Sequence, residues 1–433
     1  MKIRMLTGVA CAALTILSAP IAAATNPELP TAPAFNAAAD QAVHAFYASR
    51  GGAPLWLQGG AESNAAQQLI ATLRRASLDG MPSGPAFAEQ AQALLAQAQA
   101  GAPGALASAD RLLTSGWIRY VEALQTPPDG ITYGDQWVMP RRDSAATILA
   151  KTAAAPSLAA YVRSVAEVNP LYAQLRDAAW TSMQSSGGEL DPRVLASLDR
   201  VRDIPPQGRY VMIDTAGARL YMIEDGKIMD SMRVAVGKAD PSTQTPMIAS
   251  TIYYATLNPY WHVSGEMVRS LIAKNVLGQG LSYLKTHGYQ VLSPDGSGQV
   301  LDPAKVNWHA VADGRDIVQV RQLPGPLNSM GRIKFPFPNG SDIYLHDTPN
   351  KDLFAQDDRT VSHGCIRLQD AERLGQWLMG RDPQSASRDP EQNVLLPSPV
   401  PIYVTYLTAQ VKNGQLSFVD DIYGRDAQVA ALR

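Results

Sequence analysis

Cysteine is almost missing from this chain. Its 433 residues hold two, Cys11 and Cys365. Cys11 lies in a segment expected to be cut away, and the lone thiol that remains cannot close an internal bridge. Charge is also scarce. Only 18% of residues are charged and the formal net charge is −2, with no polybasic run, which argues against nucleic acid or anionic lipid as partners. Beyond the N-terminus no apolar run is long enough to cross a bilayer, and no repeat marks a solenoid.

What is present begins with an export signal. Lys2 and Arg4 give a positive start, Met5 to Leu17 is mostly apolar, and "APIAAAT" offers small residues for cleavage after Ala24. Residues 1–24 therefore read as a secretory signal peptide, which predicts a periplasmic protein. A retained anchor is a weaker reading, because the apolar part is short.

The remaining length suggests more than one domain. A Pro-punctuated linker covers 25–35, and an alanine-rich, helix-patterned stretch follows at 36–201. There Leu69, Ile70, Leu73 and Ala76 share a face that ends at Gly80. His44, Tyr47 and Trp56 fit core packing at helical spacing. From 207 to 426 the pattern changes to short alternating runs with Ala-Gly, Asp-Gly and Asn413-Gly414 turns, which is strand chemistry. Within it, 262–322 is long, polar and turn-rich, with one helical segment. It reads as a capping insertion, and 427–433 as a tail. The fold class is α+β: an all-helical scaffold domain followed by a mainly-β domain.

Chemistry gathers at "SHGCIRL", Ser362 to Leu368. A thiol in an exported protein is a liability unless used, and its neighbours are His and Gly rather than apolar residues. Cysteine acyl transfer needs a thiolate, a base and oxyanion donors. Gly364 allows a sharp turn, so the N–H groups of Gly364 and Cys365 are candidate oxyanion donors. His346, at the end of the strand-like "SDIYLH", is the expected base and acid for Cys365. His363 is assigned to supporting the turn, as is Ser362 through hydrogen bonding. Asp370 is a candidate N-cap for the next helix. A zinc site built on His346, His363 and Cys365 has suitable ligand types but lacks a fourth ligand and a common spacing. His262, His287 and His309 read as structural or as parts of the insertion.

"YLHDTP" followed by "RTVSHGCIRL" resembles the active-site signature of the L,D-transpeptidases, the YkuD-domain enzymes of peptidoglycan cross-linking. "MRVAVGK", "LNPYWHV", "RQLPGPLNSMGRIKFPFPN" and "DIYGRD" extend the likeness to the larger Gram-negative members. Those combine a helical scaffold, a β-rich catalytic domain and a capping insertion. The small peptidoglycan-binding module that many of them carry has no room between Leu171 and Val201.

The resemblance implies no cofactor and no metal. It implies peptidoglycan stem peptides as donor and acceptor, with other cell-wall enzymes as further partners. Cys365 would attack the L-centre carbonyl of meso-diaminopimelate, forming a thioester that an acceptor amine resolves into a 3-3 or 1-3 cross-link. Gly364 and His363 fall within the catalytic motif, while Tyr344, Arg367 and Ser362 fall at substrate-binding positions, Arg367 being suited to a donor carboxylate. Two alternatives stay open: an L,D-carboxypeptidase or cross-link hydrolase of the same fold, and a catalytically silent wall-binding scaffold.

Overall fold

The computed structural model describes residues 37–426 apart from 59, 61 and 62. The expected signal peptide (1–24), the linker and the 427–433 tail lie outside the described residues. The described residues form one compact unit.

Its first half is helical: α1 (Ala37–Ser49), α2 (Asn64–Arg74), α3 (Gly84–Gln99), α4 (Ala105–Leu124), α5 (Ala145–Ala153), α6 (Leu158–Glu167), α7 (Pro170–Ser185) and α8 (Pro192–Val201). The starts of α5 to α8 are capped by the side chains of Ser144, Ser157, Asn169 and Asp191, which accept otherwise orphaned N–H groups. Leu69, Ile70 and Leu73 are buried as the periodicity predicts, although α2 stops at Arg74 and turns carry the chain on to Gly80. Tyr47 and Trp56 are core residues, whereas His44 is exposed. Helices α7 and α8 occupy the stretch judged too short for a wall-binding module.

The scaffold is not all-helical. After the Pro127–Gly130 break, β1 (Ile131–Tyr133) leaves the helices and pairs in parallel with β5 (Met247–Leu257), Ile131 opposite Met247. Tyr172, Leu175, Val194 and Leu198 from the helices share a core with Tyr210, Met212 and Tyr403 from the sheet. Periodicity along one segment cannot reveal such a pairing, because the partner strand is more than a hundred residues away.

The sheet itself takes β2 (Arg209–Asp214), β3 (Arg219–Glu224), β4 (Lys227–Gly237) and β5, then β9 (Ile333–Pro336), β10 (Tyr344–His346), β11 (Thr360–Ser362), β12 (Ile366–Leu368) and β13 (Gln392–Thr405). Its order is β1-β5-β13-β2-β3-β4-β12-β10-β9, with β11 on β4, and β9 also pairs with β5, so the pairings close on themselves. One face packs Leu345, Ile366, Phe335, Leu257, Val234 and their neighbours into the main core together with Leu374 and Leu378 of the Ala371–Met379 helix. Asp370 caps that helix by accepting the Arg373 N–H at 3.0 Å. The hairpin β14 (Ala409–Lys412) and β15 (Gln415–Phe418) turns at Asn413-Gly414, both with positive φ, as a two-residue hairpin requires.

The insertion is more ordered than its polar sequence implies. β6 (Trp261–Val263), β7 (Tyr289–Leu292) and β8 (Gln319–Gln322) form a small antiparallel sheet in the order β6-β8-β7. A helical run from Gly265 to Gln279, with a π-helical stretch at Val268–Ala273, covers it. Val263, Ile272, Tyr283, Val291, Trp308 and Val320 form its own apolar core. Its two stalks are sewn together by Asn328, whose amide donates to the Pro259, Gln322 and Leu323 carbonyls.

Candidate active site

Two short strands set the site. β10 and β12 pair in parallel with Leu345 opposite Ile366 and His346 opposite Arg367. Strand residues alternate faces. Leu345 and Ile366 therefore enter the core, and Tyr344, His346 and Arg367 share the other face, with Cys365 on the turn that leads into β12. This register sets His346 and Cys365 diagonally across adjacent strands, roughly 7–8 Å apart at the backbone.

Around the thiol, the turn is built by hydroxyl groups. Ser362 Oγ donates to the Cys365 carbonyl at 2.6 Å and accepts the Gly364 N–H at 3.1 Å. Thr245 Oγ1 donates to the Gly364 carbonyl at 2.7 Å and accepts the Gly237 N–H at 2.9 Å. Gly364 has φ +110, and a Cβ there would meet Ile343 Cδ1 at 2.9 Å. Only glycine fits both demands.

These contacts correct three expectations. The Gly364 N–H is taken by Ser362 and is not a free oxyanion donor, which leaves the Cys365 N–H of the expected pair. Ser362 is 2% exposed with its hydroxyl engaged in the turn, so its hydroxyl shapes the turn and is not presented to a substrate. His363 is exposed, and its ring makes no hydrogen bond among the described residues. The support expected of it comes from Ser362 and Thr245, since a side chain that leaves the turn toward solvent cannot brace it.

The sulfur is half-buried. Burial pushes the thiol pKa up, while hydrogen bonds from the Tyr344 backbone N–H and hydroxyl and the nearby Arg367 charge oppose that rise. The thiol donates weakly to the Asp342 carbonyl at 3.6 Å. Tyr344 sits edge-on to His346 with ring centres 5.8 Å apart.

His346 is 2% exposed. Burial first, and the Arg367 charge second, bring its pKa down to about 4, so the ring is neutral at neutral pH. Its Nδ1 lies 2.5 Å from the Asp347 carbonyl. A carbonyl can only accept, so Nδ1 carries the proton and Nε2 keeps the lone pair that a base needs. The resting pair is therefore a neutral thiol and a neutral imidazole.

Arg367 is the least satisfied group in the site. Its Nε is buried without a hydrogen-bond partner, and no acidic side chain pairs with it among the described residues. Arg367 therefore forms no ion pair among the described residues. Among the described residues no three His, Cys, Asp or Glu side chains converge as a metal site. A cleft of about 1560 Å³ opens beside the Asp347–Lys351 turn, but neither Cys365 nor His346 lines it.

The sequence pointed to neither Asp347 nor Lys334. Asp347 acts through its backbone carbonyl, which any residue has. Lys334, on β9, is directly opposite His346, and only strand register brings it there.

The L,D-transpeptidase catalytic domain (YkuD) matches residues 208–402. Residues 208–402 are thus similar to an L,D-transpeptidase catalytic domain. A scaffold-domain family matches residues 41–178, the helical half in front of it. A Haemophilus influenzae protein named "Putative L,D-transpeptidase" is 27% identical over 398 residues, covering 89% of this chain and 78% of that protein. Among solved structures, an L,D-transpeptidase from Mycobacterium smegmatis is 16% identical with a TM-score of 0.23, covering 46% of this chain and 59% of its own. One from Enterococcus faecium is 12% identical with a TM-score of 0.24, covering 47% of this chain and 52% of its own. The chain thus spans little more than half of each of these solved L,D-transpeptidases.

Proposed function

We propose that this protein is an exported, periplasmic L,D-transpeptidase that cross-links peptidoglycan through a thioester on Cys365. One observation carries the reading. Cys365, Tyr344, His346 and the unpaired Arg367 lie together at one face of two paired strands, with Nε2 of the imidazole left free to take a proton.

In this reading Arg367 receives a carboxylate of the donor stem, and that pairing offsets the cost of holding a guanidinium half-buried and unpaired. His346 Nε2 takes the thiol proton as Cys365 Sγ attacks the L-centre carbonyl of the donor. The Tyr344 hydroxyl and the Cys365 N–H are placed to donate to the oxygen that gains charge. The terminal D-residue leaves as an amine, carrying the proton that His346 returns. An acceptor amine then attacks the thioester, His346 removes its proton, and sulfur departs as the new amide forms. General-base assistance suits an imidazole kept neutral better than one already charged.

Incubating the full chain with defined tetrapeptide stems should give cross-linked dimers by mass spectrometry, and Cys365→Ala should give none. Trimmed monomers without dimers would instead assign the domain to hydrolysis. Carbapenem treatment should leave a single adduct on Cys365.

A further inference from the structure

Beside the imidazole, the catalytic face continues across the sheet. Register places Arg367, His346, Lys334, Thr256 and Asn393 side by side on β12, β10, β9, β5 and β13. The insertion leaves the sheet after β5 and returns into β9, the strands that carry Thr256 and Lys334. Its neck therefore stands beside the row that holds His346.

One carboxylate joins the neck to that row. Glu391 Oε2 accepts the Tyr260 backbone N–H at 2.5 Å, at the point where the insertion departs. Its other oxygen, Oε1, lies 3.0 Å from Lys334 Nζ. The Glu391 backbone N–H donates to the Asn258 carbonyl at 2.9 Å, one more link to the same stalk. Both Glu391 (φ 53) and Asn258 (φ 46) hold a left-handed backbone without being glycine. Such conformations persist where surrounding contacts over-determine them, and they gather at functional sites. The rest of the neck is already stiff: Asn328 ties the two stalks, and Gln322 donates to the His287 and Leu327 carbonyls.

We propose that Glu391 is a positioning residue that pins the stiff neck of the 262–322 insertion to Lys334, the lysine flanking His346. The posture of the insertion over the acyl-enzyme, and so the choice between amine and water, then depends on that carboxylate. Asn258 also ties the stalk to the Ser387, Asp389 and Arg332 carbonyls, so a neck that loses the Glu391 carboxylate shifts about those remaining links, and a displaced insertion admits water. The partition half of this proposal rests on the acyl-enzyme reading above, whereas the pin itself does not.

The test uses the full chain and three variants. Glu391→Gly deletes the carboxylate while favouring the left-handed backbone, so folding is preserved. Glu391→Gln keeps an acceptor for Tyr260 but loses the ion pair, and Lys334→Met loses it from the other side. Amide hydrogen exchange should rise about tenfold at residues 259–263 and 319–328 in Glu391→Gly, and less in Glu391→Gln, with exchange elsewhere unchanged. With defined stems, the ratio of hydrolysed to cross-linked product should rise several-fold in Glu391→Gly and Lys334→Met. Wild-type exchange at the neck in Glu391→Gly overturns the pin. Faster exchange with an unchanged product ratio overturns the link to partition. If the unaltered chain makes no dimer, the functional reading fails with that link, while exchange still decides the pin.

Discussion

The helical half and the catalytic face treat buried polar groups in opposite ways. In the helices, Asp110 accepts the backbone N–H groups of Leu55, Trp56 and Leu57, each at 2.8 Å, and the Tyr47 hydroxyl. Asp79 accepts from Tyr120 and Tyr172 and lies 3.9 Å from Arg176. The buried Nε atoms of Arg75, Arg200 and Arg202 lack a partner, but each of those guanidiniums holds an acidic side chain. On the β10–β12 face, Arg367 has a buried Nε with no partner and no acid beside it among the described residues, next to a thiol and a neutral imidazole. Satisfied networks rigidify a core, and unsatisfied ones persist where something from outside completes them. The helical half gives its buried guanidiniums acidic partners, and the β10–β12 face leaves Arg367 without one among the described residues.

The contrast can be broken at either end. The largest effect belongs to Cys365→Ala, which should lower transpeptidation by about 10⁴-fold or more while leaving the thermal midpoint nearly unchanged. A large drop in midpoint would show that the thiol serves the fold. Asp110→Ala should do the reverse. Stranding three buried N–H groups should cost roughly 3–5 kcal/mol in denaturant unfolding, with acylation of the surviving folded fraction at the wild-type rate.

His346 gives a pH signature. Its folded pKa of about 4 lies below the ordinary 6.5, so between those values the unfolded chain binds a proton that the folded chain refuses. Stability should fall as pH drops through that window, by up to roughly 3 kcal/mol near pH 4. Asp203 and Asp214, raised by burial to about 6, push the other way. The measurement is therefore the difference between the unfolding curves of the parent and His346→Gln from pH 7 to 4. Parallel curves would mean that the imidazole is not held neutral.

Arg367→Met should reduce kcat/KM for a carboxylate-bearing donor about 100-fold, or roughly 2.7 kcal/mol, yet leave stability equal or higher, because an unpaired buried cation is removed. A loss of stability there would make Arg367 structural. The smallest change expected is Thr245→Val. Losing the hydroxyl that holds Gly364 and Gly237 should cost about 1–2 kcal/mol of stability, and a looser turn should slow acylation by about tenfold.

Much of this was legible in one dimension. The helical half, the β half, the Asn413-Gly414 hairpin and the Asp370 cap follow from local periodicity and turn chemistry. Cys365 and His346 stood out because a lone thiol between glycine and a strand has few structural uses. Other features depend on contacts that no local pattern encodes. β1 joins a strand far along the chain, and the order inside the insertion comes from apolar residues spread over some sixty positions. The Gly364 N–H looked available until Ser362, two residues away, was seen to occupy it.

The residue types alone settled which chemistry could be attempted here, because nucleophile, base and permissive glycine are properties of side chains and their immediate neighbours. Strand register decided what surrounds them. It set His346 between Arg367 and Lys334 and put the Tyr344 hydroxyl on the sulfur. The Asp347 carbonyl fixed which imidazole nitrogen carries the proton. Protonation and orientation answer to burial and distance, and those exist only once the chain has folded.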